Sequence, residues 1–229
     1  MKRKNITKFI ILTTFPKIFT GFLTESIIGR TVKKGLIEIK IINIRDFATD
    51  KHKTVDDRPF GGGPGMVMKP DVAERTINFA KRNLENPYVI LLTPQGKKFD
   101  HNMSKKLAHK KNIILVCGHY EGFDERIRKF ADEEISIGDY VLTGGEVPAM
   151  ILADAIMRQI PGVLGKIEST KEESFSEKYL EYPQYTRPSN YKGMRVPEVL
   201  LSGDHKKIKE WREQQSIKRT KIRRKDLLK

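Results

Sequence analysis

The sequence predicts an α/β layer fold with a mostly parallel sheet. Aliphatic runs of strand length recur along the chain, the middle ones are apolar at every position rather than at alternate ones, and segments of helical spacing separate them. A continuously apolar strand is buried on both faces, which calls for helices on both sides of a parallel sheet.

The strand-length runs are Ile6–Leu12, Ile37–Ile44, Tyr88–Leu92, Ile113–Cys117 and Ile135–Leu142. Ser136, Gly138 and Asp139 break the last, so only part of it need be strand. Pro16–Lys34 reads as helix, with Ile18, Phe22, Leu23, Ile27 and Ile28 on its apolar side. Pro70–Arg82 opens with proline and an acidic first turn and carries Val72, Ala73, Ile77 and Ala80 on one stripe. Val147–Gln159 is the most apolar helix, with Thr143 as candidate cap and Pro148 in the first turn. Composition shifts after Gly165: residues 166–181 are polar and acidic, a linker by composition, and residues 182–229 are basic, with helical spacing at Lys206–Gln214.

At 229 residues the chain is one large domain or one domain with a small appendage. Its net charge of +15 attracts polyanions such as nucleic acid or anionic lipid. Residues 205–229 hold eleven Lys or Arg against three acids, more than half of that charge. The single cysteine, Cys117, excludes an intramolecular disulfide and sits in an apolar run, the setting of a buried thiol. The histidines His52, His101, His109, His119 and His205 have no zinc spacing. Met1-Lys2-Arg3-Lys4 before Phe9–Leu12 imitates a signal peptide, but the apolar stretch is short and no small-residue cleavage site follows. No apolar run approaches the ~20 residues of a membrane span. A cytoplasmic protein without membrane partners is the expectation.

Three strand ends run into polar, glycine-bearing turns: Thr93-Pro94-Gln95-Gly96, Gly118-His119-Tyr120-Glu121-Gly122 and the stretch from Ser136 to Glu146. Ligands of open α/β sheets bind at the carboxyl ends of strands, so the three turns together predict a pocket lined by backbone amides and carbonyls, suited to a flat neutral heterocycle such as adenine. The charged, glycine-rich segment 45–66 lacks both the phosphate-loop and the dinucleotide fingerprints, leaving a flexible surface loop or a loop covering a ligand. Arg158 falls near the end of the Val147–Gln159 helix, where a cation also favours the helix dipole.

These stretches carry a resemblance. Val55–Met66, Cys117–Gly122, Ser136–Met150, Ile160–Gly165, Tyr185–Pro188 and Val199–His205 together resemble the bacterial tRNA (guanine-N1)-methyltransferases, of the SPOUT superfamily, over essentially the whole chain. The resemblance implies a deep trefoil knot through the C-terminal strands of a methyltransferase domain at 1–165, then a small helical C-terminal domain at 182–229 that binds the tRNA anticodon arm. It implies a homodimer with active sites at the subunit interface and S-adenosyl-L-methionine held bent in the knotted loops. By motif position, Gly118, Ile137, Gly138, Asp139, Tyr140, Val141 and Leu142 contact the cofactor, and Leu92, Thr93, Pro94, Tyr120, Glu121, Gly144 and Gly145 complete its pocket. Glu121 either helps bind the divalent ion, Mg2+, that the family uses or simply hydrogen-bonds.

The implied reaction methylates N1 of the guanosine 3′ of the anticodon. N1 carries a proton, so a base must remove it, and a cation must hold the charge that grows at O6. The family's base is an aspartate in an acidic-Asp-Ser-Phe context. Here the stretch reads Lys171-Glu172-Glu173-Ser174-Phe175, so Glu173 takes that place, one methylene longer, with Glu172 as fallback. The extra bond shifts the carboxylate by ~1.5 Å. Arg158 matches the family's arginine at O6. The alternatives are a related knotted methyltransferase acting on ribose or ribosomal RNA, and an RNA-binding protein that keeps the fold without the activity.

Overall fold

A computed structural model describes residues 6–164, 173–176 and 178–228. The chain divides into two compact units, Met1–Gly165 and Lys166–Lys229.

In the first unit, five strands among the described residues form one sheet in the order β2-β1-β6-β5-β7, every neighbouring pair parallel. They are β1 (Thr7–Thr13), β2 (Ile37–Asn43), β5 (Tyr88–Lys98), β6 (Asn112–Cys117) and β7 (Glu133–Ser136). The continuous apolar runs follow from burial on both faces. Phe9, Ile11, Ile90, Leu92, Ile113, Leu115 and Cys117 face one side, while Ile10, Leu12, Val89, Leu91, Ile114 and Val116 face the other. Helix α5 (Glu146–Met157) closes the first face with Ala149, Leu152, Ala153 and Ile156, the i, i+3, i+4, i+7 stripe of an amphipathic helix. Helix α3 (Pro70–Lys81) closes the second with Val72, Ala73, Ile77 and Ala80. Helix α4 (His101–Leu107) is capped by Asp100, whose carboxylate accepts from the Met103 N–H at 2.7 Å.

The structure revises three expectations. Pro16–Lys34 is not one helix. It is a 3-10 turn at Pro16–Phe19, then α1 (Thr20–Thr24) and α2 (Ser26–Lys33), separated where Glu25 is extended and Ser26 takes φ 58°. Apolar spacing survives such a break because each short piece keeps its own inward residues. The Thr93–Gly96 stretch does not follow the end of a strand. It is a bulge within β5, because Leu92 and, after it, Lys97 both register with Ile135 of β7. The polar Lys97 and Lys98 gave no apolar signal, although their backbone is paired and their ammonium groups meet Glu133 and Asp139. Helix α5 takes Gly145, not Thr143, as its N-cap residue, with no side-chain cap.

Two glycines allow close approach of backbone segments at the carboxyl edge. A Cβ on Gly96 would collide with the Glu134 carbonyl carbon and the Ile135 nitrogen, and one on Gly145 would lie 2.6 Å from the Cys117 Cα. The Gly145 N–H donates to the Gly118 carbonyl at 2.8 Å, tying the start of α5 to the end of β6. The 45–66 segment begins within a 3-10 turn at Ile44–Phe47 and holds the two-residue strand β3 (Asp56–Asp57), which pairs antiparallel with β4 (Val67–Met68).

In the second unit, strands β8 (Asn190–Tyr191) and β9 (Met194–Arg195) form a hairpin across Lys192 and Gly193, both at positive φ as a type I′ turn requires. Helix α6 (Glu198–Leu201) precedes α7 (His205–Arg223), whose cap Asp204 accepts from the Lys207 N–H at 3.1 Å. That backbone bond, followed by the Lys207 side chain, lowers the Asp204 pKa. The described part of the acidic segment is hydrogen-bonded within this unit. Leu180 N–H donates to Thr220 Oγ1 at 2.9 Å and Glu181 N–H to Ser174 Oγ at 3.0 Å.

The close backbone approach at Gly96 predicts a contrast between two glycine-to-alanine variants. Gly96→Ala forces two backbones apart and is expected to lower unfolding stability by ~1–3 kcal/mol, as overpacking does. Gly21→Ala, in α1 with open space around its Cβ position, is expected to be neutral or stabilising by up to ~1 kcal/mol. Urea unfolding of both variants measures the difference.

Candidate functional site

The three glycine-bearing turns line one cavity of about 300 Å³ at the carboxyl edge of the sheet. Its wall includes Leu92, Thr93 and Pro94 from the β5 bulge, Gly118, Tyr120 and Glu121 after β6, and Ile137, Tyr140, Val141, Leu142, Gly144 and Gly145 between β7 and α5. Gly138 and Asp139 are not in the lining. Gly138 accepts through its carbonyl from the buried Ser136 hydroxyl, and its N–H donates to the same oxygen. The Asp139 side chain is 86% exposed and pairs with Lys98 at 2.9 Å.

One further lining residue, Arg128, was not apparent from the sequence. Arg128 joins three elements at the cavity: it donates to Gln95 Oε1 at 2.6 Å and to Glu125 Oε2 at 2.8 Å, and it pairs with Glu134 of β7. Its signal was hidden because its partners lie on three separate elements. His119, in the turn after β6, approaches Glu146, which is only 3% exposed in the first turn of α5. His119 Nε2 lies 2.7 Å from Glu146 Oε2, and the Thr13 hydroxyl at the end of β1 donates to Glu146 Oε1 at 2.6 Å. Thr13 Oγ1 in turn accepts from the Phe15 N–H at 2.9 Å, and the Phe15 ring sits 4.8 Å from the imidazole. A carboxylate in the first turn is favoured by the helix dipole, and both of its oxygens have partners, which a buried carboxylate requires. The pointer in the sequence is an acid opening the most apolar helix.

The 45–66 segment is tied to this site. Glu121 N–H donates to the Met66 carbonyl and Met68 N–H to the Gly122 carbonyl, both at 2.9 Å, and the Glu121 side chain lies over Gly65. Arg45 donates to the Tyr120 hydroxyl at 3.3 Å. Burial, and then the neighbouring Asp56 carboxylate, raise the Tyr120 pKa, so the phenol stays a neutral donor. Burial also pushes the Cys117 thiol well up, and as a fully buried group it is no nucleophile.

Arg158 is the C-cap residue of α5, its N–H bonded to the Asp154 carbonyl at 3.1 Å. Glu173 lies in the second unit, where its carbonyl accepts from the Ser176 N–H and hydroxyl at 3.1 and 2.7 Å. Glu172 lies outside the described residues. Among the described residues no group of three or more His, Cys, Asp or Glu gathers to hold a metal ion, so Glu121 has no such companions there. No helix among them is long and apolar enough to cross a membrane.

Together, a parallel sheet covered on both faces and a cavity at its carboxyl edge define an α/β domain with a cavity suited in size and place to a small organic ligand. The particular family follows from comparison with known proteins. The family model described as "tRNA (Guanine-1)-methyltransferase TrmD" matches residues 7–229, and the chain belongs to that family. It is 57% identical over 225 residues to the tRNA (guanine-N(1)-)-methyltransferase of Clostridioides difficile, covering 97% of each chain. The protein of the same name from Carboxydothermus hydrogenoformans is 54% identical, with 97% of this chain and 87% of the relative covered. That from Endomicrobium trichonymphae is 52% identical, with 97% and 99% covered.

The Glu146 network predicts a stability cost on its removal. Glu146→Ala strands a buried hydroxyl and imidazole nitrogen and is expected to lower unfolding stability by ~2–4 kcal/mol, with Glu146→Gln costing less. Denaturant midpoints at constant slope measure it, and a change below ~0.5 kcal/mol for Glu146→Ala would show the network to be dispensable.

Proposed function

We propose that this protein is an enzyme that transfers a methyl group from S-adenosyl-L-methionine to N1 of the guanosine immediately 3′ of the anticodon in tRNA. The observation that carries this reading is similarity through both units: 57% identity to a protein of that named activity across 97% of each chain.

The cavity fits the donor. Leu92, Ile137, Leu142 and Pro148 supply apolar walls for a heterocycle, backbone groups of the 118 and 144–145 turns supply polar edges, and the Glu121 and Glu125 carboxylates favour a cation. Leu92, Thr93, Pro94, Gly118, Tyr120, Glu121, Ile137, Tyr140, Val141, Leu142, Gly144 and Gly145 are the residues that would hold it, and Gly138 and Asp139 shape their loop rather than the wall. When bound, S-adenosylmethionine supplies an electrophilic methyl group on a sulfonium. Glu173 takes the N1 proton as general base, leaving a lone pair for the new N–C bond. The Arg158 guanidinium stabilises the charge that moves onto O6.

We read the first unit as knotted. The close backbone approaches at Gly96 and Gly145 support this reading, since a threaded chain needs such short-range passages, and Gly145 lines the cavity. A second copy of the chain is the partner we assign to the exposed apolar side chains of the first unit, among them Phe15, Ile18, Tyr140, Val141, Val147 and Ile151. The basic second unit tracks tRNA phosphates, and the site of action is the cytoplasm, where tRNA is processed.

Two experiments test this. In single-turnover methylation of a tRNA transcript, Glu173→Gln and Arg158→Ala are expected to slow the methyl-transfer step by about 10²–10⁴-fold, the range of a missing general base or charge stabiliser. Near-normal rates for Glu173→Gln would remove it as the base, and methylation mapped to any atom other than N1 would overturn the function. Affinity for tRNA is expected to fall linearly in log–log form with salt. The triple variant Lys218→Gln, Lys221→Gln, Arg223→Gln is expected to raise the tRNA KM and to flatten that slope by roughly one for each phosphate it no longer neutralises.

A further inference from the structure

The second unit contains a cavity of its own, about 310 Å³, that methyl transfer leaves unused. Two of the stretches that mark the family meet there. Tyr185, Thr186 and Arg187 come from one, and Leu200 and Leu201 from the other. We propose that this cavity binds a single unstacked nucleotide of the RNA loop, distinct from the guanosine that is methylated. The proposal rests on the tRNA reading above and deepens it.

The lining has the chemistry of a nucleotide site. Val196, Leu200, Leu201 and Ile208 give an apolar floor for the face of a base. Gln184, Thr186 and Ser189 give donors and acceptors for its edge. Arg187 and Arg212 bring guanidinium groups, and among the described residues no acidic side chain lines the cavity. The Arg212 guanidinium carbon sits 4.6 Å from the centroid of the Tyr182 ring, and its Nε is buried with no hydrogen-bond partner among the described residues. A cation held against an aromatic face, with a donor to spare, suits a base stacked beside it and a phosphate at its edge. Tyr185 is half exposed, with its ring 6.4 Å from that of Trp211, a second aromatic surface at the rim.

Charge selects the occupant. The cavity adjoins α7, in the stretch 205–229 where eleven Lys or Arg face three acids. A cationic ligand would be repelled, and an apolar peptide would leave two guanidinium groups without anions. A nucleotide within an RNA loop meets each requirement, because loops splay bases that helices keep stacked.

The experiment uses the full chain and an anticodon stem-loop RNA, together with versions in which each loop nucleotide in turn is abasic. Wild-type protein is expected to lose about tenfold in affinity at one position other than the methylated guanosine, the size of one stacked base. Arg212→Gln and Tyr185→Ala are expected to lose about tenfold on the intact RNA and little more on that abasic RNA, since the same interaction is then removed from both sides. Arg212→Lys keeps the charge without the plane and is expected to rescue only part of the loss. A wild-type profile that is flat outside the methylated position overturns the proposal without recourse to any variant. So does a variant loss that is equal on every RNA, which marks a phosphate contact or a structural role. Competition by free nucleoside monophosphates as strong as that by the stem-loop would replace the RNA loop with a free nucleotide as occupant. If the wild-type protein neither binds nor methylates the stem-loop, the tRNA reading itself fails. If it does both and the abasic profile is flat, the cavity proposal alone fails.

Discussion

One buried carboxylate organises the carboxyl edge of the sheet. Glu146 opens α5 with its two oxygens engaged by Thr13 and His119, residues that end β1 and follow β6. The partners are 133 and 27 residues away in sequence, so the helix start, the end of β1 and the cavity turn are held by one group. Beside it, the Gly145 N–H to Gly118 carbonyl bond joins the same helix and turn through the backbone. A buried charge does not tolerate partial satisfaction, so this contact admits few geometries, and the cavity inherits that rigidity.

The rest of the first unit serves that edge. Residues of β1, β5 and β6 alternate between two apolar layers, one closed by α5 and the other by α3, so the sheet offers a stiff platform with a polar outlet at the strand ends. The walls are then trimmed by polar clamps. Arg128 links the β5 bulge to the 3-10 turn at Glu125–Phe130 and to β7, and the glycine-rich segment is stitched to the Tyr120–Phe123 turn through Met66 and Met68. A site for a small ligand built this way loses little conformational entropy on binding, because its walls are already ordered.

The parallel sheet was legible because burial on both faces leaves an unbroken apolar run, as in Ile113–Cys117. The pocket was legible because strand ends that meet ligands carry glycine and polar residues, as in Gly118–Gly122. The break at Glu25–Ser26 was not legible, since each short helix keeps its own apolar side. Nor was the extension of β5 through Lys98, whose pairing is made by backbone and whose side chains are charged. Gly138 and Asp139 look like their neighbours in the motif, yet one is occupied by the Ser136 hydroxyl and the other by Lys98.

The sequence by itself determined the α/β class, the apolar runs that form the five-stranded sheet, the basic C-terminal stretch and, through the stretches it shares with its relatives, the family. These are properties of local pattern, composition and ordered motifs, and a chain carries them before it folds. Tertiary structure alone decided that Thr13, His119 and Glu146 form one network, that Arg128 clamps three elements, and that Tyr185, Leu200 and Arg212 enclose a cavity. Such contacts join residues far apart in the chain, and no local pattern records which of the many possible long-range pairs a fold will close.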